Sequence, residues 1–197
     1  MKETNFYAML SRMKYINRWG LMRNTIKEDI AEHSLDTAIL AHALAVIGNT
    51  YFGKDIDAEK VAVYAMFHDA TEIITGDMPT PIKYYSKQIQ EAYSQIEDDA
   101  CNALLDMLPE DLREQYAPYF IKREEDRQLW KFVKAADKIC AYTKCIEEAK
   151  AGNHDFDKAA KTNLKNLEEI EMPEVKCFME DFLKSYSLTL DEMNLEN

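Results

Sequence analysis

Glycine and proline are sparse in this chain, five of each in 197 residues, and long segments run without either. With so few helix breakers the chain has few places to stop a helix, which points to an all-helical fold. Apolar spacing divides it into elements. Phe6 to Ile16 reads as a first amphipathic helix, and Asn17 to Asp29 as a polar connection. Ala31 to Ile47 is a strong helix, with Leu35, Ile39, Ala43 and Val46 at helical spacing. Asp57 is a good N-cap for a helix over Ala58 to Ile74. Thr75 to Pro81 must be loop, because Gly76, Pro79 and Pro81 cannot share a helix interior. Helices follow over Ser86 to Leu108, Pro109 to Tyr116 and Glu124 to Lys150, the last stopped at Ala151 to Asn153. Asp155 to Ile170 and Pro173 to Tyr186 are two more, before a frayed acidic tail. No internal repeat recurs. The expected fold is all-α, an irregular helical bundle, with residues 1–197 forming a single domain long enough to bury a full core.

Charge narrows the partners. A formal net charge of −12 argues against nucleic-acid polymers and anionic membranes, which need a basic face. A small phosphorylated substrate stays open, provided local charge in the site attracts it. The longest apolar run, Ala38 to Gly48 with His42 inside it, is far short of the ~18–20 residues of a membrane span. The opening "MKETNFYAML" includes Glu3 and has no apolar signal region, so the expected location is the cytoplasm. Cys101, Cys140, Cys145 and Cys177 form no C-x-x-C pair and read as buried reduced thiols rather than a zinc cluster.

Chemistry concentrates in "FHDATEIITGD", Phe67 to Asp77. On a continuous helix His68 and Asp69 share one wedge, and Glu72 lies one turn on from both. Several ionisable groups on an apolar helix are costly unless something pairs with them, either a metal ion or a salt-bridge cluster. Imidazole with carboxylate suits a first-row divalent ion. Further ligands must come from elsewhere. His33, in "EHSL" at the start of the second helix, is placed to face a cleft. His42, nine residues on, faces the other way and reads as a core or interface histidine. His154 reads as an exposed capping residue. Asp137, inside the apolar stretch "VKAADKICAY", reads by itself as a salt-bridge partner of Lys134 or Lys138. Trp19 equally suits a staple between loop and core, Arg18 and Arg23 solvated charges, Asp77 a turn cap and Lys83 a surface lysine.

Taken together, "EHS", "HD" and Asp137 lie in that order on three long helical elements. This resembles the HD-domain metal-dependent phosphohydrolases. The stretches "SRMKYINRWGLMRN", "AEHSL", "HDATEIITGDMPTPIKY" and "KAADKICAYTKCIEE" are similar to the bacterial HD-domain 5′-deoxynucleotidases, and the likeness runs from Phe6 to the "LTLDE" of Leu188 to Glu192. The resemblance implies a bundle of the HD-domain type and hydrolysis of 2′-deoxyribonucleoside 5′-monophosphates to deoxyribonucleoside and phosphate, in a homodimer. By matched position it implies His33, His68, Asp69 and Asp137 as metal ligands. It implies that Arg18 orients the phosphate and that Trp19 lies against the sugar. It implies that Asp77, Met78, Pro79 and Thr80 meet the nucleoside, with Asp69 and Asp137 also on the substrate side, and that Glu72 helps the attacking water.

Elementary chemistry agrees with these roles. A divalent ion (manganese, cobalt, iron or zinc) lowers the pKa of a bound water and polarises the phosphoryl oxygen. Arg18 supplies a fixed fork for phosphate oxygens, and the indole of Trp19 is bulky enough to exclude a 2′-hydroxyl. Ala70 to Ala136 contains no histidine, which favours one metal over two, and the HD region carries only Lys83, too little charge for a triphosphate. Two alternatives remain: a non-catalytic HD module for ligand sensing or dimerisation, and an HD phosphohydrolase acting on another nucleotide. Tyr84, Tyr85, Tyr93, Tyr116, Tyr119 and Phe120 add modest support for a dimer surface, although core packing explains them too.

Overall fold

The computed structural model describes residues 3–193, and its described residues form ten α-helices linked by 3₁₀ turns and loops. The helices are α1 (Phe6–Leu10), α2 (Ile30–Tyr51), α3 (Ala58–Phe67), α4 (Glu72–Thr75), α5 (Thr80–Lys83), α6 (Lys87–Leu105), α7 (Glu110–Phe120), α8 (Arg127–Lys150), α9 (Asp157–Glu168) and α10 (Pro173–Asp181). Extended pairing among the described residues is confined to one antiparallel bridge, Asn17 with Asp29. The helical bundle expected from the sequence is present.

Two long helices carry the core. α2 packs on α3 and α8, and α8 packs in turn on α9. Ala41, Leu44 and Ala45 of α2 meet Val61, Tyr64 and Ala65 of α3 and Phe132, Val133, Ala136 and Ile139 of α8. Tyr64 stacks on Trp130 with centroids 5.1 Å apart and planes at 7°. Each fully buried large apolar side chain of this kind contributes about 1.5–3 kcal/mol. Asp29 starts α2 with a capping box: its carboxylate accepts the N–H groups of Ala31 and Glu32, while Glu32 accepts the N–H of Asp29. The cap fixes the first turn, on which His33 stands. Asp57 caps α3 as expected, accepting the Lys60 N–H at 2.9 Å.

Several expectations are corrected. The helix expected over Ala58 to Ile74 breaks at Phe67. His68 Nδ1 sits 2.6 Å from the Ala65 carbonyl oxygen, which would accept the Asp69 N–H in a continuing helix. The backbone then tightens into turns, with Ala70 donating to Phe67 and Glu72 to Asp69. The expected loop over Thr75 to Pro81 gives way at Thr80 to α5, and α7 runs past Tyr116 to Phe120 with Pro118 inside it. The first helix ends at Leu10 and continues as a 3₁₀ turn over Ser11–Tyr15. The helix expected over Pro173 to Tyr186 ends at Asp181 and gives way to a 3₁₀ turn over Leu183–Ser187; in the expected frayed tail a further 3₁₀ turn covers Asp191–Met193, and residues 194–197 lie outside the described residues.

Side-chain placement brings further corrections. Leu35, Ile39 and Val46 establish the helix but face outward, and His42 is exposed beside them rather than buried in the core. His154 is exposed and pairs with Asp157, while the capping side chain is Asn153. Of the aromatic residues suggested for a dimer surface, Tyr93 is buried, and Tyr116, Tyr119 and Phe120 pack with Phe67; only Tyr84 and Tyr85 are exposed. α2 is longer than its central apolar run. By length and composition it could cross a membrane, with a mean hydropathy of 1.3, yet 56% of that window is buried among the other helices, as befits a core helix.

The polar connection between α1 and α2 is tied down at both ends. Its neck is closed by Arg18 N–H donating to the Glu28 carbonyl and Ile30 N–H to that of Ile16. Its far side is held by Glu148 of α8, which is fully buried and whose carboxylate accepts from Thr25 N–H (2.9 Å), Ile26 N–H (3.1 Å), Lys144 Nζ (2.6 Å) and Asn153 Nδ2 (2.7 Å). Burial alone would raise the Glu148 pKa, but these donors, Lys144 first, bring it from 4.5 down to about 2. A depression in this direction stabilises the folded state. Because the folded value is the lower one, the contribution is complete above pH 4.5 and is lost as pH falls toward 2. Glu148→Gln is therefore expected to be destabilised at pH 7 by urea denaturation, with its gap from the wild type closing between pH 4.5 and 2. A gap that stays constant over that range would refute the assignment.

Candidate active site

The break after α3 and the first turn of α2 bring two imidazoles and a carboxylate together. Ligand atoms of His33, His68 and Asp69 all lie within 4.8 Å of one another. His33 Nε2 stands 3.5 Å from Asp69 Oδ2, and His68 Nε2 stands 3.1 Å from the same oxygen. Asp137 joins from the middle of α8, its Oδ1 3.1 Å from His33 Nε2. Its partners are His33 and Arg18, not Lys134 or Lys138. His33 is fully buried, whereas the Asp137 side chain is 40% exposed, so the cluster opens to solvent on the α8 side.

Electrostatics favour the charged form of three members of this cluster, Asp69, Asp137 and His33. Burial opposes the charge on Asp69, but His68, His33 and Arg18 outweigh it and hold the carboxyl well below its usual range. Asp137 is lowered against burial by its bond to His33, and His33 is raised against burial by Asp137 and Glu28. Glu72 goes the other way: burial first, then the charges of Asp69 and Asp77, push it up to about 9.

The donor set fits a divalent ion. His68 Nδ1 is engaged with the Ala65 carbonyl as a donor, which leaves the Nε2 lone pair free. That Nε2 is buried and has no hydrogen-bond partner, as is one carboxylate oxygen of Glu72. Buried polar atoms without partners are rare and call for an explanation. Asp69, Asp137 and Glu28 face a single guanidinium, Arg18, so further positive charge balances the group. Two imidazoles and two carboxylates, with the histidine oriented by backbone, suit a first-row metal.

The neck of the 17–29 connection supplies the second half of the site. Arg18 Nη1 donates to Glu28 Oε1 at 3.2 Å, and Nη2 lies 3.9 Å from Asp137. Burial would lower the Arg18 pKa, but Glu28, Asp137, Asp69 and Asp77 raise it, so the group stays charged. Trp19 is fixed on three sides. Its N–H donates to Asp77 Oδ2 at 3.0 Å, its indole Nε1 donates to Glu28 Oε2 at 2.8 Å, and its ring packs edge-on against Phe156 at 5.3 Å. Its backbone is left-handed, φ 59°, the sole positive φ outside glycine among the described residues. Gly76, at φ 72°, ends α4 and lets the chain turn Asp77 back toward Trp19.

The structure thus brings Arg18, Trp19, Asp77, His33, His68, Asp69 and Asp137 together, with Glu72 within reach of their charges. Met78, Pro79 and Thr80 follow Asp77 into α5 and make no hydrogen bond to the cluster. Arg23 lies apart, with its carbonyl held by Asn153. Lys83 pairs with Glu97 at 2.9 Å over the Tyr93 ring rather than standing free at the surface. Sequence reasoning passed over Glu28 and Glu148. Both matter through contacts made by folding, and the stretches that hold them, the 17–29 connection and "KAADKICAYTKCIEE", drew notice only for other residues.

Comparison with known proteins finds matches along nearly the whole chain. Residues 5–186 match the family model described as 5′-deoxynucleotidase YfbR-like. The chain is 48% identical over 194 residues to "5′-deoxynucleotidase VV1113" of Vibrio vulnificus, covering 98% of this chain and 100% of that protein. It is 48% identical over 198 residues to "5′-deoxynucleotidase YfbR" of Escherichia coli, covering 100% of this chain and 99% of that one. Among solved structures, an HD-domain phosphohydrolase from Listeria innocua superposes with a TM-score of 0.81 at 22% identity, over 92% of this chain and 88% of that one. The cyanophage S-2L HD phosphohydrolase DatZ, bound to dA and one catalytic Zn²⁺ ion, superposes at 0.62 with 22% identity, over 94% and 98%. At these identities the structural matches establish the fold.

Calorimetric titration of chelator-stripped protein with Mn²⁺ is expected to give one site per chain. Asp69→Ala should weaken that binding by about 100-fold or more, since removing even an outer partner of a metal ligand costs 10–100-fold. Unaltered binding in a folded Asp69→Ala protein would remove the cluster as the metal site.

Proposed function

The chain belongs to the YfbR-like 5′-deoxynucleotidase family, and from that premise we propose how its residues hydrolyse 2′-deoxyribonucleoside 5′-monophosphates to deoxyribonucleoside and phosphate. The reading further takes residues 1–197 as one domain, working as a homodimer in the cytoplasm with manganese or cobalt as its ion. The observation that carries it is the 3.9 Å approach of Arg18 to Asp137, which sets a phosphate-binding fork against the ligand cluster.

His33, His68, Asp69 and Asp137 would hold the ion. When bound, it supplies two positive charges, lowers the pKa of a water and polarises a phosphoryl oxygen. Arg18 binds the phosphate oxygens in a planar fork and, being already charged and buried, needs little rearrangement to do so. The approach of the water opposite the leaving 5′-oxygen gives an in-line displacement. Glu72 holds or takes a proton from that water; its high pKa reflects burial first and then the neighbouring acids, and positive charge nearby draws it down again. Asp77 keeps one oxygen on the Trp19 N–H and offers the other to a sugar hydroxyl. Met78, Pro79 and Thr80 continue that wall toward the nucleoside.

Sugar preference falls to Trp19. Pinned through its backbone, its indole nitrogen and its ring edge, it has little freedom to make room for a 2′-hydroxyl. Selection by shape needs a wall of this rigidity.

Other features support the finer parts of the reading. The four cysteines are free, as suits a reducing compartment, and a net charge of −12 disfavours nucleic-acid polymers and anionic membranes. For self-association the supporting feature is the outer face of α2, where Leu35 is 58% exposed, Ile39 57% and Val46 41%. Spaced by four and seven residues, these side chains form one stripe.

The direct test is phosphate release from deoxy- and ribonucleoside 5′-monophosphates, with chelated protein and after Mn²⁺ or Co²⁺ is restored. Release should require the ion, be confined to the deoxy series, and vanish in Asp69→Ala. Glu72→Ala should lower kcat by about 100-fold or more, the usual scale of general acid–base catalysis. Trp19→Ala should admit ribonucleotides; an unchanged deoxy/ribo ratio of kcat/KM would discard the steric argument. Light scattering should give a dimer that Ile39→Glu converts to monomer, and a monomeric wild type at all concentrations would exclude self-association.

A further inference from the structure

Glu28 belongs neither to the ligand set nor to the nucleoside loop, yet it meets three members of the site. Its Oε2 accepts the Trp19 indole N–H at 2.8 Å, and its Oε1 accepts from Arg18 Nη1 at 3.2 Å. The same Oε1 lies 3.6 Å from His33 Nδ1. The side chain is only 13% exposed, and its own backbone carbonyl accepts the Arg18 N–H at the neck of the connection. One carboxylate therefore stands between the group that binds phosphate, the group that bounds the sugar and a ligand of the ion.

We propose that Glu28 is a positioning residue that sets the ring orientation and proton placement of His33 and, at the same time, the pose of Arg18 and Trp19. The proposal rests on the phosphomonoesterase reading above. His33 Nε2 faces Asp137 at 3.1 Å and Asp69 at 3.5 Å, so that nitrogen must be the one to bind a cation. A neutral imidazole has one proton, and with Nε2 so used the proton must lie on Nδ1. Nδ1 is buried without a hydrogen-bond partner, and Glu28 is the one carboxylate among the described residues within 4.0 Å of it. At 3.6 Å the contact is ionic in range rather than a formed hydrogen bond. It nonetheless makes Glu28 the acceptor available to that proton, the role outer carboxylates serve for metal-binding histidines.

The coupling has a functional consequence. His33 and Trp19 lie on different elements, α2 and the connection before it, and Glu28 touches both. Removing its carboxylate leaves the Trp19 indole N–H and the Arg18 fork without their acceptor and the His33 proton without its anion. Ion affinity and sugar selectivity should therefore fall together, although Glu28 contacts neither ion nor sugar.

The test uses chelator-stripped full-length Glu28→Ala and Glu28→Gln. It reads Mn²⁺ affinity by calorimetry, the ion-free melting temperature, and kcat/KM for deoxy- and ribonucleotides. In Glu28→Ala, Mn²⁺ affinity should fall about 10-fold or more and the deoxy/ribo ratio by a factor of about 10. Glu28→Gln keeps the shape and one acceptor oxygen and should fall between alanine and wild type. A lower melting temperature with either of the other two readouts unchanged in both variants would overturn the proposal and leave Glu28 a structural ion-pair partner. Should the wild type release no phosphate from any nucleotide, the phosphomonoesterase reading fails. The Mn²⁺ arm still decides on Glu28: unchanged affinity overturns its role and weakened affinity upholds it.

Discussion

Crowding of negative charge around His33 is the constraint on which the rest of the structure depends. Asp69, Asp137 and Glu28 converge on one fully buried ring and one guanidinium. Charges gathered like this in a protein interior are tolerated only with compensating charge and fixed geometry. Much of the architecture serves to fix that geometry. The Asp29 cap sets the first turn of α2, the His68 side chain unwinds α3 where Asp69 must turn inward, and α8 delivers Asp137 from the middle of its length.

The long connection before α2 is fixed structure rather than a slack linker. Its neck is locked by backbone hydrogen bonds, and its far end is clamped to α8 by Glu148 and Asn153. Arg18 and Trp19 are thereby held to the same helix that carries Asp137. The spacing between the Arg18 guanidinium and the His–Asp cluster is thus set by the bundle core rather than by a free loop.

How much of this could be read from the sequence follows from the range of each interaction. His33, His68, Asp69 and Asp137 were legible because residue type and order along the chain carry the signal. The helices were legible from spacing, but the spacing of Leu35, Ile39 and Val46 could not say which face is buried, since neighbours on other helices decide that. The break after Phe67 was hidden because apolar rhythm continues through it; a side chain competing for one carbonyl overrides the rhythm. Glu148 acts on Thr25, 123 positions away. Such contacts exist only once the chain has folded, and nothing local announces them.

The left-handed backbone of Trp19 carries one more consequence. For a residue with a Cβ that conformation costs roughly 1–2 kcal/mol, and glycine would escape it. The conformation persists because its surroundings over-determine it: the backbone N–H on Asp77, the indole N–H on Glu28 and the ring edge on Phe156 outweigh that strain. Glycine would shed the strain but give up both side-chain contacts, so the turn at position 19 is held in place by its tryptophan rather than merely tolerating it.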